Sequence, residues 1–414
     1  MKPLKIGVIG YGNRGRSITR SVLLKSPQFD VVAVCDEYED RTRQGIADVE
    51  KVSGTAPFGS TDYHDVLSHN GLDAVYVATS WETHVRIAIE AMKKGVPVAM
   101  EVGGAYSLEE LWEMVHVQER TGTPLMFMEN CCFGKHELLA TSLVRHGVLG
   151  EIVHCHGAYA HYLAEEIADG EIKRHYRLRN YLTRNCENYP THELGPIAKL
   201  LNINRGNRLL SLVSVASKAV GMEDYISQNA EKYPDLVGKK FRQGDVVNTI
   251  ITCADGSTIS MRLDTTLPRS YSREFTVRGT RGLYEQNTHS VYLAGEPENF
   301  DTEKYYREIL GNAARFEEKY LPLVWKDITP EQIKSGHGGM DGIQFLVFAD
   351  ALREGKPMPI DVYDAAVWMS VTALSEASVA AGGQVQAIPD FTSGMWTRRK
   401  PMDVVELSFK VSHN

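Results

Sequence analysis

The stretch Leu4-Lys5-Ile6-Gly7-Val8-Ile9-Gly10-Tyr11-Gly12-Asn13-Arg14-Gly15 decides the fold of this chain. A short apolar run precedes a GxGxxG pattern, and the pattern opens a helical segment. In this setting Gly10 permits a tight turn, Gly12 lets the backbone approach a pyrophosphate, and Gly15 allows close packing of helix on strand. Free N–H groups at the helix start suit negatively charged phosphates. The stretch therefore predicts a dinucleotide-binding unit, with Asn13 and Arg14 also contacting the cofactor.

An acidic residue then indicates which dinucleotide is bound. Asp36 ends the second predicted strand, 21 residues after Gly15. A carboxylate at this point accepts hydrogen bonds from the adenosine ribose hydroxyls and repels a 2′-phosphate. We therefore expect NAD rather than NADP.

The first 130 residues alternate short apolar runs with amphipathic helical stretches, such as His84–Lys94 and Leu108–Thr121. Such runs, separated by helices, are typical of a parallel sheet covered on both faces. We predict an α/β fold with a doubly wound Rossmann domain over residues 1–130. Its strands are predicted at Leu4–Ile9, Val31–Cys35, Ala74–Ala78, Val96–Met100 and Leu125–Met128.

After a helix at Lys135–His146 the pattern changes to successive strands joined by short turns. We predict that residues 131–414 form an α+β domain with a large, mostly antiparallel open sheet, which binds substrate and forms the oligomer. Helices at Gly342–Glu354 and Val362–Ala381 close the structure, and residues 221–240 are expected as a polar surface excursion. The strands are predicted at residues 151–163, 209–220, 245–254, 257–265, 273–279 and 289–293.

Composition narrows the range of partners. The 414-residue chain has a net charge of −8 and contains no long Lys/Arg run, so nucleic acid is excluded as a partner. No apolar run reaches the length that spans a bilayer, and no leader precedes the first strand. We expect a cytoplasmic protein that does not act at a membrane; export would require that a leader has been removed. The six cysteines form no CxxC pair and are read as reduced thiols.

Two further loops follow predicted strands, where ligands of an open α/β sheet bind. Thr79, Trp81 and His84 belong to one of them, and Trp81 is expected to pack on a cofactor ring. Glu101 begins the other, as Glu101-Val102-Gly103-Gly104. The alternative reading is that Trp81 and His84 are simply packed turn residues.

The second loop carries a resemblance to a known family. Over nearly its whole length the chain resembles glucose–fructose oxidoreductase, inositol dehydrogenase and their relatives. Those dehydrogenases typically have Glu-Lys-Pro here, with the lysine transferring a proton, whereas this chain has Val102 and Gly103. An apolar side chain cannot relay a proton. The family also pairs an aspartate with a histidine four residues later; this chain keeps His192 but has Asn188.

Four further segments of the chain match a pattern found together in one branch of that superfamily: Tyr189–Pro196, Gly157–His161, Glu129-Asn130 and His337–Asp341. On these segments the chain most resembles the NAD-dependent glycosidases of glycoside hydrolase family 109, first described as α-N-acetylgalactosaminidases. That branch also lacks the lysine. One departure is Tyr162, where the branch often has aspartate.

The resemblance implies a redox-neutral hydrolysis. Oxidation of a sugar C3 hydroxyl acidifies the C2 proton, the C1 substituent is eliminated, water adds and C3 is reduced again. Tyr and His suffice for the proton transfers. We expect His192 and Tyr189 near the C3 hydroxyl and Tyr159 as the acid or base at C2. Glu129, His161, Arg177 and His337 are the expected substrate-binding residues, and Asn130 is expected to bind cofactor.

Each assignment has an alternative that needs no catalysis. His192 could simply begin a helix, Tyr159 could be a core residue, and Arg177 could lie in a solvated loop. His154 and His156 point to one face of a strand and His161 to the other, and no carboxylate or cysteine completes a tetrahedral set. We therefore expect no metal.

Three functions remain open from the sequence. The first is an NAD-dependent glycosidase acting on N-acetylgalactosaminides or other glycosides. The second is an NAD-dependent sugar or polyol dehydrogenase with an unconventional base, and the third is a catalytically silent NAD-binding regulator or assembly subunit. The resemblance further implies a homodimer or larger homo-oligomer, paired through the exposed face of the second sheet.

Overall fold

The computed structural model describes residues 2–295 and 307–407. The chain divides into two compact units. The first comprises the described residues of Met1–Phe133 and Lys326–Ala366, and the second those of Gly134–Trp325 and Val367–Asn414.

Strands and helices are numbered here in chain order. The strands are β1 (Leu4–Ile9), β2 (Phe29–Cys35), β3 (Phe58–Ser60), β4 (Ala74–Val77), β5 (Val98–Met100), β6 (Leu125–Phe127), β7 (Ile152–Ala160), β8 (Leu209–Ala216), β9 (Val246–Cys253), β10 (Thr258–Asp264), β11 (Thr276–Gly279), β12 (Gly282–Glu285), β13 (Ser290–Leu293) and β14 (Gln386–Ala387). The α-helices are α1 (Asn13–Ser21), α2 (Glu39–Ser53), α3 (Tyr63–Leu67), α4 (His84–Lys93), α5 (Leu108–Thr121), α6 (Lys135–Arg145), α7 (Ala164–Ala168), α8 (Arg177–Thr183), α9 (Thr191–Leu200), α10 (Gly221–Gln228), α11 (Ala314–Tyr320), α12 (Leu323–Lys326), α13 (Pro330–Ile333), α14 (Met340–Glu354) and α15 (Val362–Ala380).

The first unit is built on a parallel sheet. Among the described residues the sheet has six strands in the order β3-β2-β1-β4-β5-β6, and every pairing is parallel. The order reverses between β1 and β4, the topological switch point at which ligands of such sheets bind. The interior strands are apolar on both faces; for example, the adjacent residues Val8 and Ile9, which point to opposite faces, are 0% and 1% exposed. The predicted doubly wound fold is confirmed.

Local chemistry sets the ends of the flanking helices. The Ser107 side chain accepts a hydrogen bond from the backbone N–H of Glu110 at the start of α5, which satisfies one of the unpaired donors of the first turn. Gly122 ends the same helix with a φ of 66°, a conformation that glycine adopts without a steric penalty. The predicted bounds of α5 are those observed.

The second unit is built on a larger sheet. In the part of the chain that the structure describes, its order is β13-β12-β11-β7-β10-β9-β8-β14. The β7–β10 pair is parallel and the other pairs are antiparallel, which confirms the predicted mostly antiparallel sheet. Residues 221–240, expected as a surface excursion, contain α10, whose Met222 and Ile226 are buried.

Across the described ranges, no helix combines the length and the hydropathy needed to cross a membrane.

Candidate functional site

The glycine-rich loop has the close approaches that its sequence predicts. Gly10 has a φ of 95°, and a Cβ there would lie 2.5 Å from the carbonyl oxygen of Ala78. A Cβ on Gly15 would lie 1.9 Å from the carbonyl oxygen of Gly10. Any larger side chain at either position would therefore displace backbone, so these two glycines fix how β1, α1 and the loop after β4 meet.

The start of α1 is suited to an anion. Gly12 is its N-cap residue, no side chain caps the helix, and its first turn contains no acidic residue. A Cβ added to Gly12 would meet only the Arg41 guanidinium, at 3.6 Å. The backbone N–H groups of Asn13 and Arg14 in the first turn therefore lie at the positive end of the helix dipole, which attracts a negatively charged phosphate.

Asp36 follows β2 directly and is 6% exposed. One carboxylate oxygen accepts from the backbone N–H of Tyr11 at 2.7 Å and the other from that of Tyr38 at 3.0 Å. The Arg41 guanidinium lies 3.9 Å away. These contacts orient the carboxylate at the carboxyl end of the sheet, where the sequence places the ribose-binding acid.

The loop after β4 contains polar atoms that have no hydrogen-bond partner among the described residues. His84 is 1% exposed, and within that part of the chain neither of its ring nitrogens is hydrogen-bonded; the same holds for the buried hydroxyl of Thr79. Burial lowers the pKa of His84 to about 4, although Glu82 acts in the opposite direction. Because orphaned buried polar groups are costly, a ligand with donors and acceptors fits this loop. The residues present therefore fit a dinucleotide.

The loop after β5 gives a steric reason for the missing proline. A Cβ at Gly103 would lie 2.5 Å from Cδ1 of Trp81 and 2.8 Å from Nε2 of His84. The side chain of Val102 is itself buried. Gly103 thus makes room for the Trp81–His84 pair, and a proline in its place would collide with both rings.

Arg14 lies at the centre of a charged network within the first unit. Its Nε donates to Glu101 at 2.9 Å, and its two terminal nitrogens donate to the two oxygens of Asp341, each at 2.9 Å. Asn130 Nδ2 donates to Asp341 at 2.8 Å, and His337 Nδ1 lies 2.7 Å from the same carboxylate. Burial favours the neutral acid, but Arg14 and His337 hold the pKa of Asp341 well below its usual range.

Asp341 was not predicted as a site residue. The segment His337–Asp341 was recognised, but only His337 was selected from it. The structure makes Asp341, which is 1% exposed, the residue that joins Arg14 to Asn130, whereas the His337 side chain is 56% exposed. His337 and Glu129, both expected to bind substrate, belong to the first unit; Tyr159, His161, Arg177, Tyr189 and His192 belong to the second.

The second unit brings the predicted phenols and imidazoles together. Tyr159 lies near the end of β7, with its ring centroid 4.7 Å from that of Tyr189 and 5.6 Å from that of His192. The rings of Tyr189 and His192 are 4.8 Å apart. Tyr159 and Tyr189 are 6% and 8% exposed, so both phenols are largely removed from bulk water. We call Tyr159, Tyr189 and His192 the aromatic cluster.

Two charged groups border the aromatic cluster. The guanidinium carbon of Arg177 lies 5.0 Å from the centre of the Tyr189 ring, within range of a cation–π interaction. Its Nε donates to Glu166 at 2.7 Å. Burial raises the pKa of Tyr159, and the positive charge of Arg177 only partly opposes this effect.

His161 extends the cluster toward the surface. Its Nδ1 lies 3.4 Å from the hydroxyl of Tyr159, and its ring centroid is 5.1 Å from that of Tyr271, which is 50% exposed. Burial lowers the pKa of His161, although Glu166 acts in the opposite direction. Both shifts therefore favour a neutral phenol beside a neutral imidazole. Tyr271 was not predicted, because a lone tyrosine in a loop carries no distinguishing pattern.

The remaining positions that were singled out have ordinary surroundings. Asn188 is buried and donates to Gln243 at 3.1 Å. Tyr162 is 38% exposed, with its ring 6.5 Å from that of Tyr225. The ring nitrogens of His154 lie 2.8 and 3.1 Å from the hydroxyls of Thr258 and Ser260. These contacts account for the histidines of β7 as hydrogen-bonded residues of a sheet face.

The aromatic cluster offers proton transfer without a conventional acid pair. Phenol and imidazole can both donate and accept protons, and an adjacent guanidinium can hold a hydroxyl or oxyanion. The first unit provides the features that bind a dinucleotide. The second unit therefore provides groups suited to proton transfer.

Comparison with known families agrees with both units. Residues 4–128 match the oxidoreductase family with an NAD-binding Rossmann fold, and residues 133–398 match the C-terminal domain of glycosyl hydrolase 109. The chain is 36% identical to the α-N-acetylgalactosaminidase of Tannerella forsythia over 96% of this chain and 88% of that protein. It is also 36% identical to a glycosyl hydrolase family 109 protein of Parabacteroides distasonis, over 96% of this chain and 89% of that protein.

Solved structures share the fold at low sequence identity. Levoglucosan dehydrogenase in complex with NADH superposes with a TM-score of 0.67 at 17% identity, covering 94% of this chain and 100% of that chain. An inositol dehydrogenase homologue from Azotobacter vinelandii, complexed with NADH and myo-inositol, gives a TM-score of 0.64 at 18% identity, covering 93% and 98%. With an NAD-binding Rossmann domain and this C-terminal domain, the chain belongs to glycosyl hydrolase family 109 and is an NAD-dependent glycosidase.

Proposed function

We propose that this glycosidase cleaves its substrate by transient oxidation at C3 of the sugar, elimination across C1 and C2, addition of water at C1 and reduction at C3. NAD, when bound, supplies the hydride acceptor and then the hydride donor within one turnover, so no net oxidation occurs. Asp36 supports the choice of NAD over NADP, because its buried carboxylate would repel a 2′-phosphate.

One observation carries this proposal: the aromatic cluster contains phenols and an imidazole rather than two separated carboxylic acids. Glycosidases that hydrolyse directly use two carboxyl groups about 5 to 9.5 Å apart. The two buried carboxyls nearest in sequence to Tyr189 and His192 are Glu187 and Glu193, whose side chains lie next to each other. A pair in direct contact leaves no room for a glycosidic bond and water between its members. Elimination through the aromatic cluster is the chemistry that these side chains support.

Tyr159 is proposed to transfer the C2 proton. Oxidation at C3 makes this proton acidic, because the resulting carbanion is delocalised onto the carbonyl. Since burial keeps the phenol protonated at rest, Tyr159 needs an acceptor before it can act as a base. His161 Nδ1, 3.4 Å from the phenolic oxygen, is proposed to receive that proton because of its position, although burial weakens it as a base.

Tyr189 and His192 are proposed to act at the C3 hydroxyl, where a proton must leave as hydride departs. Arg177 is proposed to orient sugar hydroxyls, because it is 6% exposed and is fixed by Glu166 and by the ring of Tyr189. Glu129 and His337 remain proposed substrate ligands from the first unit.

The substrate is proposed to be an α-N-acetylgalactosaminide, the class named for the Tannerella forsythia relative. The 36% identity to that protein supports the class of sugar more than the aglycone. A homodimer or larger homo-oligomer and a cytoplasmic location are also proposed.

A panel of chromogenic α- and β-glycosides tests this function, assayed on protein stripped of nucleotide with and without added NAD. We expect aglycone release that requires NAD and proceeds without a steady rise in NADH absorbance. Mass spectrometry of the purified protein is expected to detect NAD or NADH. A steady rise in NADH with a free sugar, and no aglycone release, would instead establish a dehydrogenase.

A further inference from the structure

Two glutamates lie directly beside the aromatic cluster and take no part in the proton transfers proposed above. Glu187 precedes Tyr189 by two residues, and Glu193 follows His192 in the first turn of α9. Their exposed fractions are 0% and 1%. Two carboxyl groups this deeply buried require either cations or protons to compensate the loss of hydration.

Hydrogen bonds account for half of their oxygens. One oxygen of Glu187 accepts from the backbone N–H of Tyr189 at 3.4 Å, and one oxygen of Glu193 accepts from the backbone N–H of Arg262 at 3.0 Å. The other oxygens, Oε2 of Glu187 and Oε1 of Glu193, receive no N–H or O–H donor. Yet the two carboxyls are within hydrogen-bonding distance of each other.

We propose that Glu187 and Glu193 share a proton between these two oxygens, and that the resulting carboxyl pair positions Tyr189 and His192 for the reaction proposed above. A single O–H···O hydrogen bond satisfies both otherwise unpaired oxygens. No other donor among the described side chains reaches them.

The pair connects the segment that carries Tyr189 and His192 to the strands of the second unit. The backbone N–H groups of Arg262 on β10 and of Tyr159 on β7 both donate to Glu193. Gly157 allows this approach, because a Cβ there would lie 3.0 Å from that of Glu193. On the Glu187 side, the backbone N–H of Glu187 donates to the Ser375 hydroxyl at 2.8 Å. Glu187 and Glu193 are therefore positioning residues.

The electrostatic surroundings favour retention of the proton. In the described part of the chain neither carboxyl forms an ion pair; the Arg262 guanidinium instead donates to Glu274. The titratable groups that interact with Glu187 are Tyr181 and Cys186, both buried and both with a raised pKa. Burial raises the pKa of Glu187 to about 8, and burial together with Glu187 raises that of Glu193 well above its usual range.

The sign of the resulting pH dependence follows from linkage. Because the folded state holds a proton that an unfolded glutamate has already released, the stability contributed by the pair is fully present below about pH 4.5 and is lost as the pH rises from there through about 8. Above that range two adjacent carboxylates repel each other, and the segment between them loses its fixed geometry. A glutamine at either position cannot create this second charge, because its amide donates the hydrogen bond permanently.

The test compares melting temperatures of the wild type, Glu187→Gln and Glu193→Gln from about pH 4.5 through and beyond pH 8. As the pH rises, the melting temperature of the wild type is expected to fall further than that of either glutamine variant. Exposed Glu171 provides the control, since Glu171→Gln should follow the wild-type curve. Infrared spectroscopy at neutral pH is expected to show a protonated-carboxyl carbonyl band that is absent from both glutamine variants.

Parallel melting curves for all four proteins, or a wild-type spectrum without the carboxyl band, would overturn the shared proton. Glycoside cleavage then tests positioning: each glutamine variant should stay within about threefold of the wild-type kcat, whereas Glu193→Ala should lose about 100-fold. An alanine variant as active as the glutamine variants would overturn the positioning role. Melting and infrared need no substrate, so a failure of the proposed glycosidase reaction would not be mistaken for failure of the carboxyl pair.

Discussion

Substitution of Gly103 by alanine should weaken NAD binding by displacing Trp81 and His84. The added Cβ would lie 2.5 Å from Cδ1 of Trp81 and 2.8 Å from Nε2 of His84, both well inside van der Waals contact. The two rings are 3% and 1% exposed, so neither can rotate into solvent without opening the loop after β4.

The magnitude follows from the cost of overpacking a buried site, which is about 1–3 kcal/mol. The loop is proposed to bind NAD, so a loss of about 1–3 kcal/mol in the free energy of binding would raise the Kd for NAD about 5- to 150-fold. Isothermal titration of nucleotide-free protein with NAD measures the change.

Gly7→Ala is the matched control. Its Cβ would lie 2.9 Å from Cγ1 of Val66, so it also overpacks the first unit, but on β1 away from the glycine-rich loop. It should lower the melting temperature while leaving the Kd for NAD unchanged. If Gly103→Ala binds NAD as tightly as the wild type, Trp81 and His84 do not shape the cofactor site.

Three other substitutions test separate parts of the account. Tyr159→Phe should lower kcat for glycoside cleavage by about 10²- to 10⁴-fold, since it removes a proton-transfer group, with little change in melting temperature; wild-type kcat would exclude the proposed role. Asp341→Asn should lower the free energy of unfolding by about 3 kcal/mol, because Arg14 loses a buried bidentate partner. Denaturant unfolding of the first unit measures this change, and an unchanged free energy would show that the network does not stabilise the fold. Burial lowers the pKa of His84 from 6.5 to about 4, so the unfolded chain binds a proton before the folded protein does as the pH falls. About 3 kcal/mol of stability should therefore be lost between these two pH values. His84→Gln removes the titrating group, and a loss of the same size in this variant would contradict the assignment to His84.

The fold could largely be predicted from local patterns. The apolar runs and the glycine spacing of Leu4–Gly15 specify a strand, a turn and a helix, and the structure has β1 and α1 there. The short strands β3, β12 and β14 were missed, because segments of two to four residues carry too little periodicity to distinguish them from turns. Helix α10 was missed because its buried face consists of only Met222 and Ile226.

The site could be predicted only where its residues share a motif. Tyr189 and His192 lie within one segment, and Tyr159 and His161 within another, so the sequence was enough to single them out as candidates, and the structure brings them together. Contacts between distant segments were not. Asp341 meets Arg14 across 327 residues of chain, and Glu193 meets the backbone of Arg262 across 69.

Buried carboxyl groups show the same limit in physical terms. A glutamate in a sequence reads as a solvated charge unless its partners are known. Glu187 and Glu193 become chemically distinctive only because the fold removes water and brings the two carboxyls together. The spacing of Glu187 and Glu193 in the sequence does not predict that their side chains meet, because one precedes the turn before α9 and the other lies inside the helix.

If the sugar is oxidised and reduced again within a single turnover, its hydrogen at C2 is expected to exchange with solvent. Glycoside cleavage is carried out in deuterated water with NAD present, and the released sugar is analysed by NMR and mass spectrometry. We expect one solvent deuterium at C2 of the product and no accumulation of NADH. A product that keeps its original hydrogen at C2 would contradict the elimination, and with it the transient oxidation that makes this hydrogen acidic.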